Sequence, residues 1–373
     1  MNSKMSLSRH LNSLPLLRPW GLPRSLGHVS VLIMKEHLSY LQAFQNANPA
    51  ITIEHVMLPD FDKPETVSLS KDGKDFSLVT TNLDQISNHP ETEKVFVFPP
   101  EWILAMLCQK FASLGINIIW LDGYWPAPFG KRPPQPDFYQ KNARLLHTAY
   151  GFMETDQDRT TFAARIKAIL TGNAGWLPIA PFPEYHHPRI GPETGDIMID
   201  GGISDMVGAQ VQFAKAVGPT GMVHGFEPIG WMAEKARTQL APFAQYHLHC
   251  AGLGETSGEV RFASLRDSSH ICVNSSDDQN TEICQLTTID EIAQNLAKVD
   301  CIKLDVEGSE LAALKGGIET IKKFRPKLVI CLYHKPEDLF EIPIYLKSLV
   351  PEYKMHLAHS SCGFTDTILY AKA

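Results

Sequence analysis

The sequence predicts an α/β protein built on mostly parallel sheets, and three observations carry that reading. Apolar runs alternate with stretches of helical periodicity from about Val29 onward, the order expected when strands pair in parallel and helices cover the sheet. One such run, Cys301 to Leu304, is a short apolar strand of the kind buried on both faces. The third observation is the acids that follow such runs: Asp200, Glu227 and Asp305 all stand at carboxyl ends of predicted strands, where ligands bind in open α/β sheets.

Composition narrows the function classes. Hydrophobic residues make up 44% of the 373-residue chain and charged residues 20%, as in ordinary soluble globular proteins. No apolar run approaches the roughly 20 residues a membrane-spanning helix needs. A net charge of -7 offers no general basic footprint, so no nucleic-acid partner is expected. The seven cysteines are scattered without a C-x-x-C pair, which favours reduced thiols and a cytoplasmic location. A homo-oligomer is left open.

The chain divides into a flexible N-terminus over 1–28, an α/β accessory domain with a helical connector over 29–175, and a second domain over 190–373. Lys4, Arg9, Arg18, Arg24 and Lys35 precede the first acid, Glu36, a bias also seen in transit peptides. Pro15, Pro19 and Pro23 would break an amphipathic helix there, so a disordered start is expected instead. In the accessory block "KVFVFPPEWILAMLCQKFASLGINIIWLDGYWP" reads as strand Val95 to Phe98, helix Glu101 to Leu114 and strand Ile116 to Leu121. Its turn holds Pro99 and Pro100 where a phosphate cradle would need amide N–H groups. The block is thus Rossmann-like without binding a nucleotide at that turn, and serves structure, assembly or substrate recognition. A proline-rich loop (Pro126 to Pro136), a helical connector to about Leu170 and the Gly/Pro-rich stretch Thr171 to Asp196 then mark the boundary.

In the second domain the predicted order is strand "DIMID", helix "MVGAQVQFAKAV", strand "GMVHGFEP", helix 231–241, strands "YHLHCAGLG" and "EVRFAS", helix 288–297 and strand "DCIKLDV". Helix 309–324, strand "KLVICLYH", helix 337–349 and the pair "YKMHLAHS" and "TDTILYAK" complete it.

In "IDGGIS" Asp200 ends the first strand and Gly201 and Gly202 form a turn that lets the backbone approach a ligand. Glu227 ends the second strand, where a carboxylate can accept both ribose hydroxyls. Ser204, Phe226 and Pro228 belong to the same two loops. A dinucleotide site would need G-x-G-x-x-G; the run here, D-G-G-I-S-D-M-V-G, carries Asp205 and Met206 and would repel a pyrophosphate. S-adenosylmethionine has a ribose and positive groups but no phosphate, and suits these acids better.

"CIKLDVEGSELAALKGG" delivers Asp305 and Glu307 just ahead of a helix. The plainer reading is helix capping by Ser309 or Asp305, with Glu310 favouring the helix dipole. "LYHKPEDL" adds His334, which titrates near neutral pH and is a candidate general base; Asp305 or Glu307, with a pKa raised by burial, could serve instead. Two carboxylates and a histidine would also suit a cation, but no metal is assigned. Of the other histidines, His187 and His359 are expected nearest the acceptor. Lys303, on the opposite strand face from Leu304, is expected to pair with an acid and is left out of catalysis.

From about Gly151 to Tyr370 the chain resembles the FkbM family of S-adenosylmethionine-dependent methyltransferases. The residues that carry the resemblance are "IDGG" with "GMVHGFEP", "TTIDEI" followed by "VDCIKLDVEGSELAALKGGIETIKKFRPKLVICLYHKPEDL", and "TDTILYA". The resemblance implies a class I methyltransferase fold with a seven-stranded, mostly parallel sheet, and O-methylation of a hydroxyl of a sugar, glycan or related small molecule. It further implies that Asp200, Gly202 and Glu227 hold the methyl donor and that Asp305 and Glu307 line the active centre, with the first block an accessory region. The alternative is a non-catalytic cofactor- or glycan-binding protein that keeps the fold, suggested by Met206, where the family commonly has glycine.

Overall fold

The computed structural model describes residues 6–14, 27–33, 35, 38, 41–47, 51–59, 62–96, 118–120, 136–171, 174–203, 207–265, 268–271, 281–361 and 363–373. Two compact units emerge, one of residues 1–143, 160–179 and 361–365, the other of 144–159, 180–360 and 366–373. Among the described residues no helix is long and apolar enough to cross a membrane.

The first unit holds a six-stranded sheet of β1 (His28–Leu32), β2 (Thr52–Leu58), β3 (Thr66–Lys71), β4 (Lys74–Asn82), β5 (Glu93–Phe96) and β6 (Ile118–Trp120), in the order β3-β4-β2-β1-β5-β6. All neighbours are parallel except the β3–β4 hairpin. Val29, Val31, Ile53, Val56 and Leu58 bury its core. The strands around the Pro99–Pro100 turn are thus present as a parallel pair, while the turn and the helix expected over 101–114 lie outside the described residues. Of the N-terminus, Leu7–Ser13 is a short helix; residues 1–5 and 15–26 lie outside the description.

The second unit is organised by a seven-stranded sheet of β7 (Ile197–Gly201), β8 (Met222–Phe226), β9 (Tyr246–His249), β14 (Cys301–Leu304), β15 (Lys327–Cys331), β16 (Lys354–His359) and β17 (Thr367–Lys372). The order is β16-β17-β15-β14-β7-β8-β9. Strands from β15 to β9 run parallel, and the β16–β17 hairpin adds antiparallel to β15. Every residue of β14 and β15 is buried, as their apolar runs require when helices cover both faces. Phe213, Val223, Cys301, Val329 and Tyr370 pack in one cluster; burying a side chain such as Phe213 contributes about 2 kcal/mol.

Two expectations change. "EVRFAS" does not join this sheet: it is β11 (Gly258–Leu265) of a separate four-stranded sheet with β10 (Gly252–Leu253), β12 (Ser268–Ile271) and β13 (Thr281–Thr287). The helix expected over 309–324 is two, Glu310–Lys315 and Ile318–Phe324. A Cβ on Gly316 would stand 2.0 Å from the Gly254 carbonyl oxygen, so the break is where the chain touches another loop. "TTIDEI" has a local reason: Thr288 Oγ1 accepts from Glu291 N at 3.1 Å while Glu291 Oε2 accepts from Thr288 N at 3.4 Å, a capping box that starts the helix Ile289–Ala293.

Candidate active site

The carboxyl ends of β7, β8 and β14 are level, since Gly201 pairs with both Phe226 and Leu304. Two further bonds carry the ladder past the strands: Gly202 N donates to Phe226 O and Asp305 N to Gly201 O, each at 3.0 Å. Gly202 has φ +83°, and a Cβ there would fall 1.7 Å from the Asp305 carbonyl oxygen. Only glycine meets both conditions, and it brings the loop after β7 against Asp305.

Beneath this junction lies a buried ion pair. Lys303 Nζ stands 3.2 Å from Asp200 Oδ1, with side chains 2% and 0% exposed. The ammonium also donates to the carbonyls of Gly201 at 3.1 Å and Gly202 at 2.6 Å. Asp200 Oδ2 accepts from Tyr246 Oη at 2.7 Å and Gln210 Nε2 at 3.3 Å. Burial alone would lower the Lys303 pKa, but Asp200 and Asp305 outweigh it and hold the ammonium charged. The pairing expected for Lys303 is therefore present, and it has a consequence for Asp200. The carboxylate expected to meet the methyl donor is spent on interior partners and supports the Gly201–Gly202 turn from below.

Glu227 bridges the two loops. Its Oε1 accepts from Ile229 N at 2.9 Å and its Oε2 from Ile203 N at 3.4 Å. Burial pushes its pKa up to about 7. A carboxylate offers about four lone-pair sites, so one remains on each oxygen, the arrangement a vicinal diol such as ribose can fill. Phe226 is buried with its ring stacked on His249 at 4.7 Å, and so belongs to the core; Pro228 is half-buried in the same loop. Ser204, with Asp205 and Met206, lies outside the described residues.

Asp305, Glu307 and His334 do come together. His334 Nε2 is 3.6 Å from Asp305 Oδ1 and 3.5 Å from Glu307 Oε2. Glu307 (φ +54°) and Gly308 (φ +90°) turn the chain sharply. The turn is held by Glu310, whose Oε1 accepts from Val306 N at 2.8 Å, Gly308 N at 3.3 Å and His334 Nδ1 at 2.8 Å. Ser309 makes no side-chain cap bond. Capping therefore does not explain these acids; Glu310, read as a dipole partner, is instead the fully buried support of His334.

Charge distinguishes these groups from one another. Burial alone would lower the His334 pKa, yet the bond to Glu310 and the charges of Glu310, Asp305 and Glu307 raise it to about 9. At neutral pH His334 therefore carries the proton, whereas a general base has to be free to take one. Asp305 accepts from Tyr185 Oη at 2.7 Å and Tyr333 Oη at 2.8 Å. Burial works to raise its pKa, but Lys303, His334 and these hydroxyls hold it below the usual range. Both phenols are pushed well up, chiefly by burial, so they remain donors. Glu307 is the most open of the three, its side chain 46% exposed. Asp305, Glu310 and His334 present one ligand atom each within 4.8 Å of one another, a set that would admit a borderline cation in place of the imidazolium proton.

The remaining histidines stand apart from this centre. His359 is fully buried and bonded to Thr367 Oγ1 at 3.0 Å, so burial removes it from any acceptor. His187 stacks on His356 at 5.2 Å, and burial and that neighbour lower its pKa to about 4. Tyr185 carried no local signal in the sequence; it enters from the Gly/Pro-rich boundary segment, 120 positions before Asp305.

Residues 202–364 match the family model of the methyltransferase FkbM domain. That segment is similar to an FkbM methyltransferase domain. This is the family named from the sequence motifs, and the FkbM domain brings with it the expected methyl donor, S-adenosylmethionine. The methyltransferase FkbM from Methylobacillus flagellatus KT has a similar fold, with a TM-score of 0.61 and 17% identity over 98% of each chain. A weaker likeness links 48% of this chain to 67% of Aeropyrum pernix fibrillarin, a structure with natively bound S-adenosylmethionine, at TM-score 0.31 and 14% identity. No curated protein gives a significant match.

Proposed function

We propose that the FkbM domain, taken as residues 190–373, transfers the methyl group of S-adenosylmethionine to a hydroxyl of a sugar, glycan or related small molecule. Residues 29–175 serve as its accessory domain, and the buried free thiols Cys301 and Cys331 suit the reducing cytoplasm. The observation that carries the reading is the meeting of Asp305, Glu307 and His334 beside the Gly202 junction, on the same sheet edge as Glu227. Glu227 takes the ribose hydroxyls, and the turn at Gly201 and Gly202 gives the donor room beside Asp305. Bound there, the donor supplies an electrophilic methyl group on a positively charged sulfur.

The chain's own groups prepare the acceptor. Glu307 receives the hydroxyl proton, being the most open carboxylate of the centre. Asp305, ionised and fixed by two phenols, orients the His334 imidazolium, which in turn holds Glu307 in place. Most of the acceleration comes from this positioning. The test is formation of S-adenosylhomocysteine and of a methylated product by the purified protein across a panel of sugar and glycan acceptors, with Glu307→Gln in parallel. Turnover lost in the variant supports the reading. Normal S-adenosylhomocysteine binding with no turnover on any hydroxyl acceptor would instead favour a binding protein.

A further inference from the structure

Away from the methyl-transfer centre, the first unit brings two imidazoles and a carboxylate to one point. His55 lies on β2, and His89 and Glu91 lie in the turn ahead of β5. His55 Nε2 and His89 Nδ1 stand 3.7 and 3.5 Å from the same oxygen, Glu91 Oε1. The two rings are stacked with centroids 3.7 Å apart, and one ligand atom from each residue lies within 4.8 Å of the other two. We propose that His55, His89 and Glu91 form a binding site for a divalent transition ion of the zinc class.

The separations support an ion better than a direct bond. Hydrogen bonds between such groups run at about 2.7–3.2 Å, and both separations here are longer. Two ligands each about 2.0–2.1 Å from a tetrahedral zinc ion stand roughly 3.3 Å apart, so each imidazole needs only a small contraction toward Glu91 Oε1, and the ligand atoms of all three lie within 4.8 Å of one another. Nitrogen with carboxylate oxygen suits zinc, nickel or cobalt, whereas magnesium and calcium prefer oxygen alone. Three protein ligands leave a fourth position for water.

The backbone is shaped for this meeting. Pairing between β1 and β2 steps from Val29↔Ile53 to Ser30↔His55, leaving Glu54 as an extra residue. Such a bulge re-aims the side chains beside it, and here it is followed at once by His55. The turn is fastened separately: Lys94 Nζ donates to the His89 carbonyl and, at 2.6 Å, to the Thr92 carbonyl. Ser30 Oγ meets Thr92 Oγ1 at 2.5 Å. Glu54, the other nearby acid, is engaged by His28 at 2.5 Å. An ion here would clip the turn to a strand 34 positions earlier and stabilise the accessory unit.

The full chain, stripped with chelator, is titrated calorimetrically with zinc, and with cobalt to read the visible absorption of a tetrahedral site. Wild type and Glu310→Gln, which disables the other candidate cluster, should bind a single ion alike. His55→Ala, His89→Ala and Glu91→Gln should each weaken binding by at least about tenfold without changing methyl transfer. Glu91→Gln alters an exposed turn residue, so it keeps the test decisive if a histidine variant folds poorly. No binding by wild type, unchanged binding in Glu91→Gln, or binding lost only in Glu310→Gln would each overturn the assignment.

Discussion

Lys303 and Asp200 sit opposite each other on adjacent parallel strands, β14 and β7, with Nζ 3.2 Å from Oδ1 and neither side chain open to solvent. This pair joins the two strands whose ends carry the candidate site. Through the Gly201 and Gly202 carbonyls, it also sets the turn above.

Breaking the pair from one side should therefore be severe. Lys303→Met leaves Asp200 as an unpaired buried charge, a change that typically costs about 3–5 kcal/mol. Urea unfolding should show that loss, and the double variant Lys303→Met with Asp200→Asn should recover part of it. Equal stability of the single variant and wild type would contradict the role given to the pair.

Gly202→Ala should damage donor binding and stability together. The new Cβ has no room beside the Asp305 carbonyl, and the left-handed backbone costs a non-glycine residue about 1–2 kcal/mol on its own. Calorimetry with S-adenosylhomocysteine should find binding weakened by more than tenfold, while Gly151→Ala, where a Cβ would meet nothing within 4 Å, should bind normally.

Donor affinity should rise with pH through about 7. Glu227 has its pKa raised to about 7 by burial, and ribose hydroxyls favour the ionised form, so binding releases a proton below that pH. S-adenosylhomocysteine affinity, followed from pH 6 to 8, should increase in wild type and stay flat in Glu227→Gln. Glu227→Ala should lose roughly tenfold or more, the worth of hydrogen bonds to a charged acceptor.

His334 should stabilise the fold on the acid side. Its pKa rises from 6.5 in the reference state to about 9 in the folded chain. The stabilisation is fully present below about 6.5 and is lost as pH climbs through about 9. The buried acids Glu227 and Asp338, with pKa values raised to about 7, cause their own losses between roughly pH 4 and 7. Between about 7 and 8, before the buried thiols Cys301 and Cys331 add losses of their own near 9 and above, the change is chiefly the histidine's. Unfolding free energies measured there should fall with pH in wild type, and much less in His334→Gln.

Sequence by itself determined what depends on near neighbours. Apolar runs such as "CIKL" and "KLVIC" became fully buried parallel strands, the capping box of Thr288 and Glu291 started its helix, and the acids at strand ends appeared where alternating strand and helix put them. Asp305, Glu307 and His334 were legible because a short segment and one strand end carry them. Tertiary structure decided the charges and the contacts. Asp200 is enclosed because Lys303 and Tyr246 reach it from two other strands, and His334 keeps its proton because Glu310 is buried against it. Tyr185 reaches Asp305 only through the fold. A proton's affinity depends on the burial and charge around it, and those surroundings come from segments far apart in the chain that meet only when the sheet is assembled.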